Sequence, residues 1–124
     1  SENIDIHHVF PKDYCEKQGY DKIKWNSVIN KTPITYSTNR EIGGVAPSVY
    51  LSKIESKKQV TADALDSYLE THWLDVDNCR NDNFQSHIIN RAKLLLNAIE
   101  KATGKTISGR DSEEVVNAFG ESLK

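Results

Sequence analysis

The 124-residue sequence predicts a single α+β domain with a β-containing front and a helical back. Three observations carry that expectation. Residues 3–10 (NIDIHHVF) alternate polar and apolar side chains with the period of two that a half-buried strand requires. Residues 22–36 (KIKWNSVINKTPITY) are rich in β-branched and aromatic types. From Pro47 onward, apolar residues recur at helical spacing behind recognisable caps.

Taken in order, the first strand stops at Pro11. Residues 11–20 read as a short helical turn, with Pro11 as first helical residue and Gly19 as the stop. The first half of 22–36 reads as the second strand, and the rest, interrupted by Pro33, as an irregular return. In 37–58, Ser37 or Thr38 caps a turn broken by Gly43-Gly44. The helix restarts at Pro47 with Val49, Tyr50 and Ile54 on one stripe. Thr61 caps the next helix, whose apolar face is Leu65, Leu69 and Leu74 with Tyr68 and Trp73. A polar stretch (75–82) separates it from the longest helix, 83–104, with Phe84, Ile88, Leu95 and Ile99 as stripe and Gly104 as C-cap. A capping box from Asp111 to Glu114 opens the last helix.

Composition narrows the function classes. A charged share of 27% against 37% hydrophobic describes a globular chain, and no apolar run approaches the roughly 18–20 residues of a membrane span. Cys15 and Cys79 lack zinc-ribbon or disulfide-scaffold spacing and read as interior thiols in a reduced, cytoplasmic setting. Methionine is absent, as expected of a piece of a longer protein. Residues 1–58 carry a balance of +2 and residues 59–124 one of −4. That bias is too weak for an autonomous DNA binder, so tight nucleic-acid binding is expected to come from elsewhere in a parent chain.

Half of the four histidines sit side by side at His7 and His8, at the end of the first strand. Alternation puts Asp5 and His7 on one face, a carboxylate and an imidazole suited to part of a divalent-metal site. His8, on the other face, is mostly neutral at pH 7, the state a general base requires. The plain alternative is a pair of strand histidines bonded to backbone or solvent.

The order D-I-H-H-V-F-P, then Asn30, then Asn39-Arg40, resembles the HNH nucleases of the His-Me finger superfamily. The segments IHHVFPK, INKTPIT, TNREIGGVAPSVYL and FQSHIINRAKLL are similar to the C-terminal domains of GmrSD-type modification-dependent restriction enzymes and related phage-defence effectors. The resemblance implies a ββα-metal hairpin-helix module over residues 1–58, packed on a helical supporting region over residues 59–124 of the same domain. It implies a DNA endonuclease leaving 5′-phosphate and 3′-hydroxyl ends. His8 is then the general base, and Asn30, grouped with it, braces the loop. His7 and Asn39 ligate one divalent cation, Mg2+ with Mn2+ or Ni2+ as substitutes, while Asp5 ligates or orients a ligand. Arg40, Lys12 and Lys31 contact phosphate. Implied partners are the DNA backbone, an N-terminal nucleotide-hydrolysing or sensing domain, and a second copy for double-strand cutting. Two departures stand out: His7 replaces the family's commoner aspartate, and the zinc-stapling cysteines are missing.

Each assignment has a plainer counterpart. Asn39 also suits a helix cap, and Arg40 a surface ion pair with Glu41 or Glu55. His72 and His87 read as packing or surface residues, and Arg91 as structural. As a whole, the chain could also be an idle nucleic-acid-binding or interaction module with a structural metal.

Overall fold

A computed structural model describes residues 4–35 and 43–124, with the side chains of residues 4, 5, 34 and 35 outside the described set. Strand β1 (Ile4–His8) pairs antiparallel with β2 (Lys31–Thr35), Ile4 opposite Thr35 and His8 opposite Lys31. Between them run helix α1 (Lys12–Gln18), the single turn α2 (Lys22–Trp25) and a 3₁₀ turn over Val28–Asn30. Among the described residues five helices follow: α3 (Pro47–Lys58), α4 (Ala62–Glu70), α5 (Val76–Arg80), α6 (Phe84–Thr103) and α7 (Glu113–Phe119). The chain is therefore α+β and mostly helical, with a two-stranded antiparallel sheet among the described residues.

The sequence reading misplaces the second strand. Residues 22–25 are helical, because the Asp21 side chain accepts from the Ile23 amide and so opens a turn that buries Trp25. The strand lies where an irregular return is expected, with Pro33 inside it opposite Ile6. In a two-stranded ribbon every second backbone N–H points to an open edge, so a proline there costs no ladder bond when it takes such a position.

Other boundaries differ by small steps with clear causes. Pro11 is the N-cap of α1 rather than its first residue, and Gly19 closes that helix at φ 74°. Asp75 accepts from the Asn78 amide and starts α5, hidden in the polar stretch and buried through Cys79. Ser112, not Asp111, caps α7 by accepting from the Val115 amide. Thr61 caps α4 and Gly104 terminates α6. The expected cap at Ser37 or Thr38 falls outside the described residues. Of the Gly43-Gly44 pair, the second makes a close approach: a Cβ there would stand 2.9 Å from Asp13 Oδ2.

One apolar cluster draws on both halves of the chain. It contains Val9, Phe10, Cys15 and Trp25 from the front, Tyr50, Leu51 and Ile54 from α3, and Leu65, Leu74, Cys79, Phe84 and Ile88 from the rest. Phe10 is its centre, fully buried, stacked on His87 at 4.8 Å and edge-on to Phe84 at 5.5 Å. A smaller cluster of Ile89, Ala92 and Leu123 seats α7 and the C-terminus against α6. Not every residue of the expected stripes is interior: Val49, Tyr68, Trp73 and Ile99 remain exposed. No helix among the described residues is long and apolar enough to cross a membrane.

Candidate functional site

His8 ends β1 because Val9 and Phe10 leave the sheet for the core. Its half-buried ring packs edge-on against Trp25 at 5.5 Å. Its Nε2 lies 3.0 Å from Asn26 Oδ1. An amide oxygen only accepts, so Nε2 carries a proton, and in the neutral ring Nδ1 is then the lone-pair nitrogen. This is the arrangement a general base needs: one ring nitrogen held, the other able to take a proton.

The loop that carries Trp25 and Asn26 is closed by Asn30, which has no solvent exposure. Its Nδ2 donates to the carbonyls of Phe10 and Trp25, both at 2.9 Å. Its Oδ1 accepts from the Phe10 amide at 2.9 Å and from His87 Nε2 at 3.0 Å. All four hydrogen-bonding positions of the carboxamide are thereby filled, and its orientation is fixed by partners that cannot exchange roles. The Val9 amide also donates to the Asn30 carbonyl at 2.7 Å, and Tyr50 Oη donates to the Val9 carbonyl at 2.6 Å. Asn30 thus ties together the two segments that flank His8. A side chain so enclosed braces the loop and touches no solvent.

Behind Asn30 stands α6. Arg91 Nη1 donates to the carbonyls of Ile29 (2.8 Å) and Lys31 (2.6 Å), on either side of Asn30. Its Nη2 donates to the His72 carbonyl at 3.1 Å. His87, one turn earlier, is buried, which pulls its pKa down to about 3 with help from the Arg91 charge. It is therefore neutral and places its proton on the nitrogen facing Asn30.

His7 leaves the strand on the opposite face from His8. It is half-buried and sits across from Thr32, and both line, together with His8, a largely apolar cavity of about 40 Å³ against Leu65, Tyr68 and Leu69. Thr32 Oγ1 and His72 Nδ1 are 2.8 Å apart there, and burial, then Arg91, lowers the His72 pKa.

The other sequence-predicted residues divide as follows. Lys31 is the cross-strand partner of His8 and shares its face. Lys12 is exposed at the first position of α1. Asp5 is placed by its backbone alone, opposite Ile34. Asn39 and Arg40 lie outside the described residues, so of the three expected metal ligands only the His7 side chain is described. Among the described residues no three His, Cys, Asp or Glu side chains gather into a metal-binding group. An imidazole, a carboxylate and an amide oxygen would together suit Mn2+ or Ni2+ as well as Mg2+.

Sequence reasoning passed over Asn26; it read His87 as a packing or surface residue and Arg91 as structural, without their link to Asn30. Asn26 is one of ten asparagines and carries no signal of its own. The other two have one: a histidine and an arginine four apart, both on the apolar side of a helix.

Comparison with known proteins adds a relative. The chain is 28% identical over 121 residues to an uncharacterized protein of Methanocaldococcus jannaschii, a match covering 95% of this chain and 18% of the archaeal one. The chain thus spans less than a fifth of the length of that relative. No family model matches, and no solved structure matches.

Proposed function

We propose that the chain is a metal-dependent endonuclease domain of the HNH type, hydrolysing DNA phosphodiester bonds with His8 as general base. The observation that carries this reading is the His8 ring: it ends the first strand of an antiparallel pair with Nε2–H anchored on Asn26 and Nδ1 left to accept. The order of His8, the enclosed Asn30 and a helix after β2 supports it, as does the resemblance to restriction and phage-defence nucleases.

In this reading His8 Nδ1 takes the proton of the attacking water, and the His8 ring is kept in register by Trp25 and Asn26. The proton then passes from Nδ1 to solvent, and the leaving 3′-oxygen takes one up from water. Lys31, beside His8, supplies positive charge to the phosphate, and Lys12 and Arg40 extend that contact along the backbone. A divalent cation, when bound, supplies charge relief at the scissile phosphate and the leaving 3′-oxygen; His7, Asp5 and Asn39 are the residues that would hold it. His7 and His8 leave β1 on opposite faces, so both address one phosphate either through strand twist near Pro11 or with the phosphate straddling the end of the strand. Cutting of both strands would need two copies. Recognition of modified DNA would belong to another part of a parent protein.

The test is incubation of supercoiled plasmid with the protein in Mg2+, in Mn2+ and in EDTA. The expected result is metal-dependent nicking with 5′-phosphate ends. An idle binding module gives retarded DNA without nicks in every metal, and that outcome would overturn the proposal.

A further inference from the structure

Two side chains of α6, neither of them in contact with the candidate base, point into the loop that ends at β2. His87 donates to Asn30 Oδ1 at 3.0 Å, and Arg91 binds the carbonyls of residues 29 and 31 at 2.8 and 2.6 Å. Asn30 in turn holds both polar backbone atoms of Phe10 and the carbonyl of Trp25. Trp25 packs on the His8 ring, and the next residue, Asn26, accepts a hydrogen bond from its Nε2–H. An unbroken series of contacts therefore runs from α6 to the imidazole: the hydrogen bonds of Asn30 are buried, Trp25 meets the ring by packing, and the last bond, His8 to Asn26, is exposed.

We propose that His87 and Arg91 are positioning residues for His8, acting through Asn30 to fix the Nε2–H tautomer and the aim of Nδ1. The inference rests on the reading of His8 as general base for its kinetic consequence, but its structural half stands apart from it. Burial alone does not explain the pair. A leucine at 87 would fill the space against Phe10, yet only a donor satisfies the second lone pair of Asn30 Oδ1. An aliphatic residue at 91 would leave three carbonyls unsatisfied, two of them adjacent to Asn30. When that restraint goes, the Asn30 amide is free to turn, the Trp25 and Asn26 segment loses its tether, and the ring above it loses its fixed acceptor.

The experiment compares wild type, His87→Leu and His87→Gln, the last keeping a donor near the Nε2 position. Imidazole 15N spectra read the His8 tautomer without substrate, and plasmid nicking in Mn2+ reads kcat and KM. In wild type, His8 is expected as a single Nε2–H tautomer. In H87L the two tautomers mix and kcat falls on the order of 10²-fold with KM within about twofold, as displacement of a catalytic group produces. H87Q restores both readings. A merely space-filling His87 would leave the His8 spectrum and kcat of H87L at wild-type values, which overturns the proposal. Should H87L fail to give a dispersed spectrum, Arg91→Lys takes its place. It is expected to mix the His8 tautomers, and an unchanged His8 spectrum in it counts against the inference. A tautomer shift in H87L with no nicking by wild type in any metal would uphold the positioning and sink the nuclease reading.

Discussion

Replacing Asn30 by alanine removes four hydrogen bonds from a side chain with no exposure to solvent. Each such bond is worth a net of about 1 kcal/mol, so the sum is about 4 kcal/mol. The partners left behind raise that figure, because the Phe10 amide, the Trp25 carbonyl and His87 Nε2 have no water to turn to. Against a total stability of about 5–15 kcal/mol, the loss leaves the domain folded but marginal. Urea unfolding followed by circular dichroism measures it. With a slope of about 2 kcal/mol per molar, the midpoint of Asn30→Ala falls by about 2 M. Asn30→Asp is predicted to fare no better, since a carboxylate accepts from Phe10 and His87 but cannot donate to the two carbonyls. A drop in midpoint of less than about 0.5 M, equivalent to about 1 kcal/mol, would refute the brace and with it the account of how His8 is held.

Two further outcomes follow from buried titratable groups. His87 has a folded pKa of about 3, below its unfolded value, so the unfolded chain binds the extra proton between the two values. Its stabilising contribution is complete above pH ~6.5 and is lost as pH falls toward 3, amounting to about 2 kcal/mol between pH 7 and pH 5. Urea midpoints at those two pH values in wild type and His87→Gln check this: wild type falls, and the variant shows about that much less dependence. Burial pushes the Cys15 and Cys79 thiols up to about 12, so neither reacts with a thiol-specific disulfide reagent at pH 8 until urea unfolds the chain. Rapid labelling of the native protein would contradict their packing.

The sequence made some parts of this fold plain and hid others, for physical reasons that differ by element. Helices α4 and α6 were legible because Thr61 and Gly104 mark ends that the hydrogen bonds then use. Strand β1 was legible by its alternation. The region between Asp21 and Thr35 was not, because the β-branched residues Ile23, Val28 and Ile29 carry strand propensity while a cap at Asp21 and burial of Trp25 make a turn of helix. Propensity is a weak prior there, and tertiary burial wins. Pro33 misled in the opposite direction, since a two-stranded ribbon has open edges that tolerate it. The candidate site was half legible. The histidine pair and Asn30 could be named from order and resemblance. That Asn30 is enclosed, that Asn26 accepts the His8 hydrogen bond, and that His87 and Arg91 stand behind both depend on contacts 18 to 62 residues apart, which no local pattern encodes.

The most direct measurement of the central claim is the single-turnover nicking rate of His8→Ala beside wild type, on supercoiled plasmid with saturating Mn2+. A positioned general base contributes about 10²–10⁴ in rate. The variant should therefore lose that factor while its urea midpoint stays close to that of wild type. An undiminished rate in a folded His8→Ala protein would show that the water is activated elsewhere, and the assignment of His8 would fall.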